Sequence, residues 1–442
     1  MNADRRFQRA RLPVRYLLAS WLFVLSAVAF LDRTNISIAG VQIGREFQID
    51  NTHLGWVFSA FLIGYATFQV PAGILAKQLG PRIVLTLGVA WWGIFTILTA
   101  LVPPGMAAAV WTLALVRFGL GAGEATMYPA ASQFVERWFP IQERGKANGL
   151  IFAGVGIGSG LTPPLVAAIT LHFGWRASFW FSALAGAVAG LVWYLASRDT
   201  PEQHPLIDSA ELAFIESGRP PEVGNSTGMK AIDAVIRKTQ WLRIIGNTTV
   251  IALTLSYFAF AYVAWIFFAW FYIYMAKVRG LDLKVSAIYS MLPFIAMTIG
   301  CLAGGVVSDW IARRYSLRLG RCLLPGVALA LTAVLLVVGS RAHTAQAAGL
   351  ILACGAGVLY IAQSGFWATT ADVAGDDVGV ISGVMNMGGQ LGGACTAFLT
   401  PLIATHFGWE MSFLAAGSLA LLGALAWLAI DPGTTSAADR TE

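Results

Sequence analysis

The sequence predicts an all-α membrane protein: twelve transmembrane helices in two six-helix halves, with both termini in the cytoplasm. Three observations carry that prediction. The 442 residues are 57% hydrophobic and only 12% charged, about half the roughly 25% of an average globular chain, so too few groups remain to solvate a water-facing surface. Apolar runs of about 20 residues, the length that crosses a bilayer, recur along the chain and nearly use it up. Finally, residues 149–179 align without a gap with residues 383–413 and match at 12 of 31 positions, so a six-span unit is used twice.

The first span, 15–39, follows Arg5, Arg6, Arg9, Arg11 and Arg15 and contains Ala27-Val28-Ala29, which mimics a secretory cleavage site. The apolar run continues past Asp32-Arg33 to Ile36-Ser37-Ile38-Ala39, long enough to span and stay uncleaved. Spans two to six are expected at 54–76, 83–102, 109–131, 146–171 and 176–196. The long polar stretch 197–245 scatters Pro201, Pro205, Pro220, Pro221, Gly224 and Gly228 among charges and reads as a cytoplasmic linker. Spans seven to twelve follow at 246–275, 286–312, 320–340, 345–371, 379–405 and 409–430. The expected units are therefore 1–196, 197–245, 246–432 and a cytoplasmic tail, 433–442.

Charge sets the orientation. With the N-terminus inside, 21 of the 29 Lys and Arg fall in cytoplasmic segments and 6 in outside loops, as the positive-inside rule requires. The formal charge of +6 is dispersed over short loops and not interleaved with stacking aromatics, which argues against nucleic acid. Cys301, Cys322, Cys354 and Cys395 lie in or beside apolar stretches without metal-ligand spacing and read as packing residues. The five histidines form no group with a nucleophile or an acid, so an enzyme, a metal site and a cofactor are not expected.

The repeat sorts residues by role. Matched pairs such as Gly149 and Gly383, Gly158 and Gly392, and His172-Phe-Gly-Trp175 and His406-Phe-Gly-Trp409 serve the scaffold. At an offset of 232, Gly73 meets Gly305, Lys77 meets Asp309 and Arg82 meets Arg314, in the loops after spans two and eight. Charges that break the symmetry are better candidates for chemistry, and Asp32, Arg33, Arg117 and Glu124 all lie in the first half. Each is costly at bilayer depth and persists only when paired, hydrated or used. Arg117 and Glu124 are two helical turns apart on one face, about 10 Å, with Gly121 between them leaving room for a ligand or a neighbouring helix. Adjacent Asp32 and Arg33 point about 100° apart, so one faces a cavity while the other pairs with another helix.

An arginine offers a permanently charged planar fork to a carboxylate, and an acid in a low-dielectric cavity offers a proton. Together they supply the physics of proton–anion symport. A structural salt-bridge network joining the two helices is the competing reading. Weaker signals are Tyr65 and Gln69 on span two, Gln133 ending span four, and Asn386 and Gln390 on span eleven, each lining a cavity or bonding a neighbouring helix. Trp367 and Tyr257 form an apolar wall or are packing anchors. Charges at the cytoplasmic ends, including Glu136, Arg137, Glu143, Arg144, Asp309, Arg313 and Arg314, either latch helix ends in one state or are solvated loops.

The two halves, the loop GILAKQLGPRIVL at 73–85, its partner GGVVSDWIARR at 304–314 and the central linker resemble the major facilitator superfamily. FLDRTNISIAG at 30–40, RFGLGAGEATMYPAASQFVERWFP at 117–140 and ERGKANGLIFAGVGIGSGLTPPL at 143–165 look like its anion:cation symporter family. That resemblance implies proton-driven uptake of organic anions, commonly sugar acids such as galactonate, glucarate or hexuronates. It places the protonating residues on Asp32 and Glu124, carboxylate binding on Arg33 and Arg117, and further cavity contacts on Tyr65 and Asn386. Lys77 stands where the superfamily loop normally has an acid, whereas Asp309 keeps the acid of the second half.

The expected protein is thus a multi-pass transporter of a bacterial-type inner membrane, monomeric, importing a small organic anion with protons. Its expected substrate contacts are Arg33, Tyr65, Arg117, Trp367, Asn386 and Gln390, and its conformational latch is Gly73, Arg82, Gly305, Asp309 and Arg314. Its other partners are the lipid bilayer and no nucleic acid. Two rivals are a proton-driven exporter of the same fold, disfavoured for cationic cargo by the buried arginines, and a non-transporting anion sensor.

Overall fold

Every regular element of the computed structural model is helical; it describes residues 13–104, 108–217, 246–374 and 378–430. The linker beyond Ser217 and the expected tail 433–442 lie outside the described residues. The first set of helices is α1 (Val14–Phe47), α2 (Asn51–Leu79), α3 (Pro81–Leu101), α4 (Ala109–Glu124), α5 (Met127–Trp138), α6 (Ile141–Phe173) and α7 (Trp175–Ala196). A short α8 (Ser209–Ser217) follows, and then α9 (Thr248–Ala269), α10 (Leu283–Arg314), α11 (Leu324–Ser340), α12 (Ala345–Ala374), α13 (Val378–Phe407) and α14 (Trp409–Ala426). Local chemistry marks the starts: Asp50, Asn247 and Asp282 cap α2, α9 and α10 with side-chain oxygens, and Pro81 opens α3.

Ten helices among the described residues are long and apolar enough to cross a membrane. Most run further than expected: α1 continues unbroken through Ala27-Val28-Ala29 and on to Phe47. The fourth expected span, 109–131, is not one helix. It breaks at Ala125 and Thr126, where Pro129 lacks an N–H and its ring crowds the carbonyl four residues back, and Thr126 turns its N–H and hydroxyl onto the Gly123 carbonyl at 3.2 and 2.8 Å.

Within the first set α1 packs on α6 and α7, α2 on α4, and α3 on α7. Within the second, α9 packs on α13 and α14, α10 on α12, and α11 on α12 and α14. The repeat is visible atom by atom. Gly174 and Gly408 have φ of 81° and 87°, a region open to glycine, and each N–H donates to a carbonyl four residues earlier at 3.1 and 3.0 Å. A Cβ on Gly158 would meet the Ala27 carbonyl oxygen at 2.4 Å, and one on Gly392 the Phe258 oxygen at 2.3 Å. The same close approach therefore joins α6 to α1 and α13 to α9.

Two seams hold the sets together, α2 against α13 and α6 against α10. Hydrogen bonds between the sets cluster at the end away from α8, in the α2–α13 seam and beside it: Ser59 Oγ donates to Ala394 O at 2.9 Å, Ser37 Oγ of α1 to Ala269 O of α9 at 2.8 Å, and Lys277 Nζ to Asn51 Oδ1 at 3.4 Å. Gly55 lies there directly against Ala397 O and Pro401. Toward the α8 end the matched glycines Gly149 and Gly383 have nothing within 4 Å of a built Cβ, so the sets part in that direction. Large apolar side chains such as Leu115, Leu302, Val306 and Leu422 are exposed, a surface suited to lipid.

The first part of the expected linker is folded onto the bundle. Glu211 of α8 accepts the backbone N–H groups of Val14 and Arg15 at 3.0 and 3.2 Å and the Arg15 guanidinium at 2.9 Å. Arg15 also donates to Glu143 at 3.0 Å. A distant carboxylate thus caps α1 and ties it to the start of α6.

Gly121→Ala would push a Cβ to 2.0 Å from Phe61 O and is expected to lower unfolding free energy by about 1–3 kcal/mol, as overpacking does. Gly149→Ala, the same chemical change in open space, is expected to leave the thermal midpoint in detergent unchanged or raise it slightly.

Candidate functional site

Four charged side chains meet where α1 and α4 face each other inside the first set. Asp32, Arg33, Arg117 and Glu124 are all buried, with residue exposures of 1, 6, 1 and 0%. Arg33 Nε donates to Glu124 Oε2 at 2.6 Å in a pair almost wholly shut from solvent. Arg33 therefore turns toward α4, as its 100° offset from Asp32 allows.

Aromatic rings complete the surroundings of both guanidiniums. Arg33 lies 4.5 Å from the Phe30 ring centroid and 4.6 Å from that of Tyr65. Phe61 is shared, 4.9 Å from Arg117 and 5.7 Å from Arg33. Its ring quadrupole attracts both cations. Phe61 carried no signal in the sequence, because an aromatic on an apolar helix reads as packing.

The cluster is only partly satisfied internally. Among the described residues both Asp32 carboxylate oxygens, Glu124 Oε1, Arg33 Nη2, and Arg117 Nε and Nη1 are buried without a hydrogen-bond partner. Buried charged groups normally find partners, and six such atoms in one place give donors and acceptors to a ligand, a proton or each other. Gly121 does not leave ligand room beside them: it lies against Phe61 O and Tyr65 N, while Gly119 and Gly123 meet Phe95 and Trp91. Those glycines instead bring α4 near enough to α2 and α3 to place the charges.

A polar chain that sequence reading passed over adjoins Asp32. Ser178 Oγ donates to Asn35 Oδ1 at 2.7 Å, and Asn35 Nδ2 donates to Ser182 Oγ at 3.1 Å. Asn35 lies one turn from Asp32 on α1, and the serines lie one turn apart on α7. The spacing of Asp32 and Asn35, three residues in a helix, was the available signal.

Arg33 and Arg117 line a cavity of about 20 Å³ with Phe61, Trp265, Phe268 and Ala397, room for about one water. It lies toward the joined end of the sets, so a larger ligand would approach from the parted side. The structure brings Tyr65 into the charged cluster but places Trp367, Asn386 and Gln390 on the second set. Trp367 stands edge-on to Tyr257 at 6.3 Å, and Gln363 Nε2 donates to Tyr257 OH at 3.4 Å. Asn386 and Gln390 are half-buried, with Gln390 Oε1 lacking a partner.

The expected latch residues bond within their own sets. The Arg82 guanidinium donates to Tyr194 O at 3.0 and 2.8 Å, and its backbone N–H donates to Asp199 at 3.0 Å. Asp309 accepts from Arg321 at 2.7 Å, and Arg314 is exposed. A Cβ on Gly73 would come 3.8 Å from Pro129 and one on Gly305 3.8 Å from Ser364, ordinary contact distances. Lys77 offers its carbonyl to Arg137 at 3.3 Å. Gln133 is half-buried and donates to Glu136 at 3.3 Å. Among the described residues no cluster of His, Cys, Asp or Glu has the makings of a metal site.

Comparison with known proteins places this geometry in context. The family model described as Major Facilitator Superfamily matches residues 22–395. A probable sulfoacetate transporter of Cupriavidus necator is 31% identical over 431 residues, covering 96% of this chain and 95% of the relative. A probable L-galactonate transporter of Escherichia coli is 26% identical over 412 residues, covering 92% and 87%. Among solved structures, a bacterial homologue of the human lysosomal transporter Spinster superposes with a TM-score of 0.77 at 18% identity, covering 95% of this chain and 97% of that one.

Removing one partner of the Arg33–Glu124 pair strands a buried charge. Arg33→Met or Glu124→Leu alone is expected to cost about 3–5 kcal/mol of stability, and the double variant to recover most of it. A double-mutant cycle of thermal unfolding in detergent checks this.

Proposed function

The chain belongs to the Major Facilitator Superfamily, and from that premise we propose that it is a proton-coupled symporter importing a small organic anion, most simply a sugar acid. The observation that carries the proposal is the buried cluster with its unsatisfied atoms. Asp32, Arg33, Arg117 and Glu124 sum to zero charge when both acids are ionised. An anion entering this low-dielectric site adds one negative charge, and protonation of one carboxylate restores neutrality. Substrate and proton thus favour each other's binding, which is the thermodynamic content of coupling. Two transporters similar in sequence are named for sulfoacetate and L-galactonate, both organic anions.

In this reading Arg117, whose Nε and Nη1 lack partners, grips the carboxylate as a bidentate fork. Arg33 and Tyr65 border it, and Trp367, Asn386 and Gln390 face the remainder of the substrate from the second set. Asp32 and Glu124 carry the protons. The unit is twelve spans divided as 1–196 and 246–432 about the linker 197–245, monomeric, with the α8 end and the tail 433–442 cytoplasmic. The sets rock about the bound ligand. Gly73, Arg82, Gly305, Asp309 and Arg314 stabilise the α8 end when it closes.

Reconstitution in liposomes with hexonates, hexuronates, aldarates and aromatic acids tests the proposal. Accumulation of one acid that collapses on adding a protonophore supports it, and export or binding without movement refutes it. Arg117→Lys is expected to weaken substrate binding at least 10-fold despite retaining the charge, because a bidentate contact worth about 1.5 kcal/mol or more is lost; isothermal titration measures it, and unchanged affinity removes Arg117 from the site. Glu124→Gln is expected to abolish proton-driven accumulation while sparing exchange of labelled for unlabelled substrate. Continued accumulation by that variant excludes Glu124 as the obligatory proton carrier.

A further inference from the structure

The outer face of the second set carries an apolar concavity. Where α10 ends and α11 begins, Trp310, Tyr315, Leu319, Leu323, Leu324 and Val327 enclose a groove of about 380 Å³. Trp310, Tyr315, Leu323 and Val327 are each more than half exposed, at 55, 65, 53 and 54%. The π-helical turn Leu319–Leu323 joins the two helices here. Gly320 is pressed against Ser308 O and Ala312, so the connection is pinned at its inner side and the groove opens outward.

Three exposed arginines neighbour the groove's residues along the chain, and one of them, Arg313, spends its Nε on the Asp309 carbonyl at 3.2 Å while its terminal nitrogens stay exposed. Arg313 and Arg314 follow Trp310 by three and four residues in α10, which puts all three on one helix face, and Arg318 immediately precedes the π turn. The nearby acid, Asp309, is engaged by Arg321 at 2.7 Å, so the cluster is strongly positive. Trp and Tyr of this kind mark the depth of lipid headgroups, and arginines beside them reach phosphate oxygens while their stems stay on apolar surface. The corresponding arginine of the first set, Arg82, is instead committed to Tyr194 O, so the repeat does not duplicate the cluster.

We propose that this groove is a binding site for an anionic phospholipid, with an acyl chain along Trp310, Leu323 and Val327 and the phosphate held by Arg313, Arg314 and Arg318. A zwitterionic lipid fills the groove equally well but lacks net charge for the arginines. The occupant ties the ends of α10 and α11 to the membrane surface beside the junction of Asp309 with Arg321.

Native mass spectrometry of the full chain in detergent, titrated with phosphatidylglycerol, cardiolipin or phosphatidylcholine of matched acyl chains, tests the site. The wild type is expected to retain the anionic lipids preferentially. Arg313→Gln with Arg318→Gln is expected to reduce their retention about 30-fold, the effect of two basic residues at a membrane surface, while leaving phosphatidylcholine retention unchanged. A photoreactive phosphatidylglycerol is expected to label the 310–327 segment, and Trp310→Ala to reduce that labelling. Equal retention of anionic and zwitterionic lipid by the wild type, undiminished preference in the double variant, or labelling elsewhere overturns the proposal. Competition by millimolar inorganic phosphate as effective as by lipid overturns it too, since the site would then be one for a free anion.

Discussion

The Arg33–Glu124 pair, 2.6 Å long and sealed from solvent, is the interaction on which the rest of this structure depends. A bilayer supplies no water to stabilise an isolated charge, so each buried ion must find protein partners or be neutralised. That requirement ties α1 to α4, two helices that otherwise pack chiefly on other neighbours. It also explains the aromatic enclosure of Phe30, Phe61 and Tyr65, whose π faces meet the guanidiniums where oxygen acceptors do not. Asp32 and Arg117 remain beside the pair with unpartnered atoms, so the cluster combines a closed, structural contact with an open, chemically available one.

Glycine makes this arrangement possible. With no large hydrophobic driving force between helices in lipid, association rests on close packing of small residues. Gly121 brings α4 onto the backbone of α2 at Phe61, and Gly158 and Gly392 do the same for α6 on α1 and α13 on α9. Gly55 performs the task between the sets, at the end where Ser37, Ser59 and Lys277 also reach across. The contrast with the open surroundings of Gly149 and Gly383 means that one seam geometry is engaged at one end and disengaged at the other. A rocking movement needs helices able to approach this closely at either end.

The ends of the bundle show how charges are used once water is available. Glu211 reaches from α8 to cap α1 and to share Arg15 with Glu143, so the polar stretch after the first set begins as part of its scaffold. Arg82 secures the end of α7 to the start of α3 by the same logic. Arg313, Arg314 and Arg318 differ because they border an exposed apolar groove, where a charged apolar molecule has both its halves matched.

By itself the sequence determined the membrane class, the repeat and the asymmetry of the buried charges. Those properties are written in hydropathy, in identities at a fixed offset and in residue types too costly to bury without reason, all local or periodic quantities. The HFGW turns illustrate this legibility, since positive φ demands glycine at 174 and 408 alike. Tertiary structure alone decided which charges pair, because Arg33 had several acids within reach in principle and only the packing of α1 on its neighbours selected Glu124. It likewise decided that Gly121 receives a helix, that Phe61 serves two guanidiniums and that Asn35 bonds Ser178 and Ser182. The break at Ala125 was available from Pro129, but apolar continuity masked it. Pairing and enclosure depend on distances between segments far apart in the chain, and spacing within one helix carries no such distance.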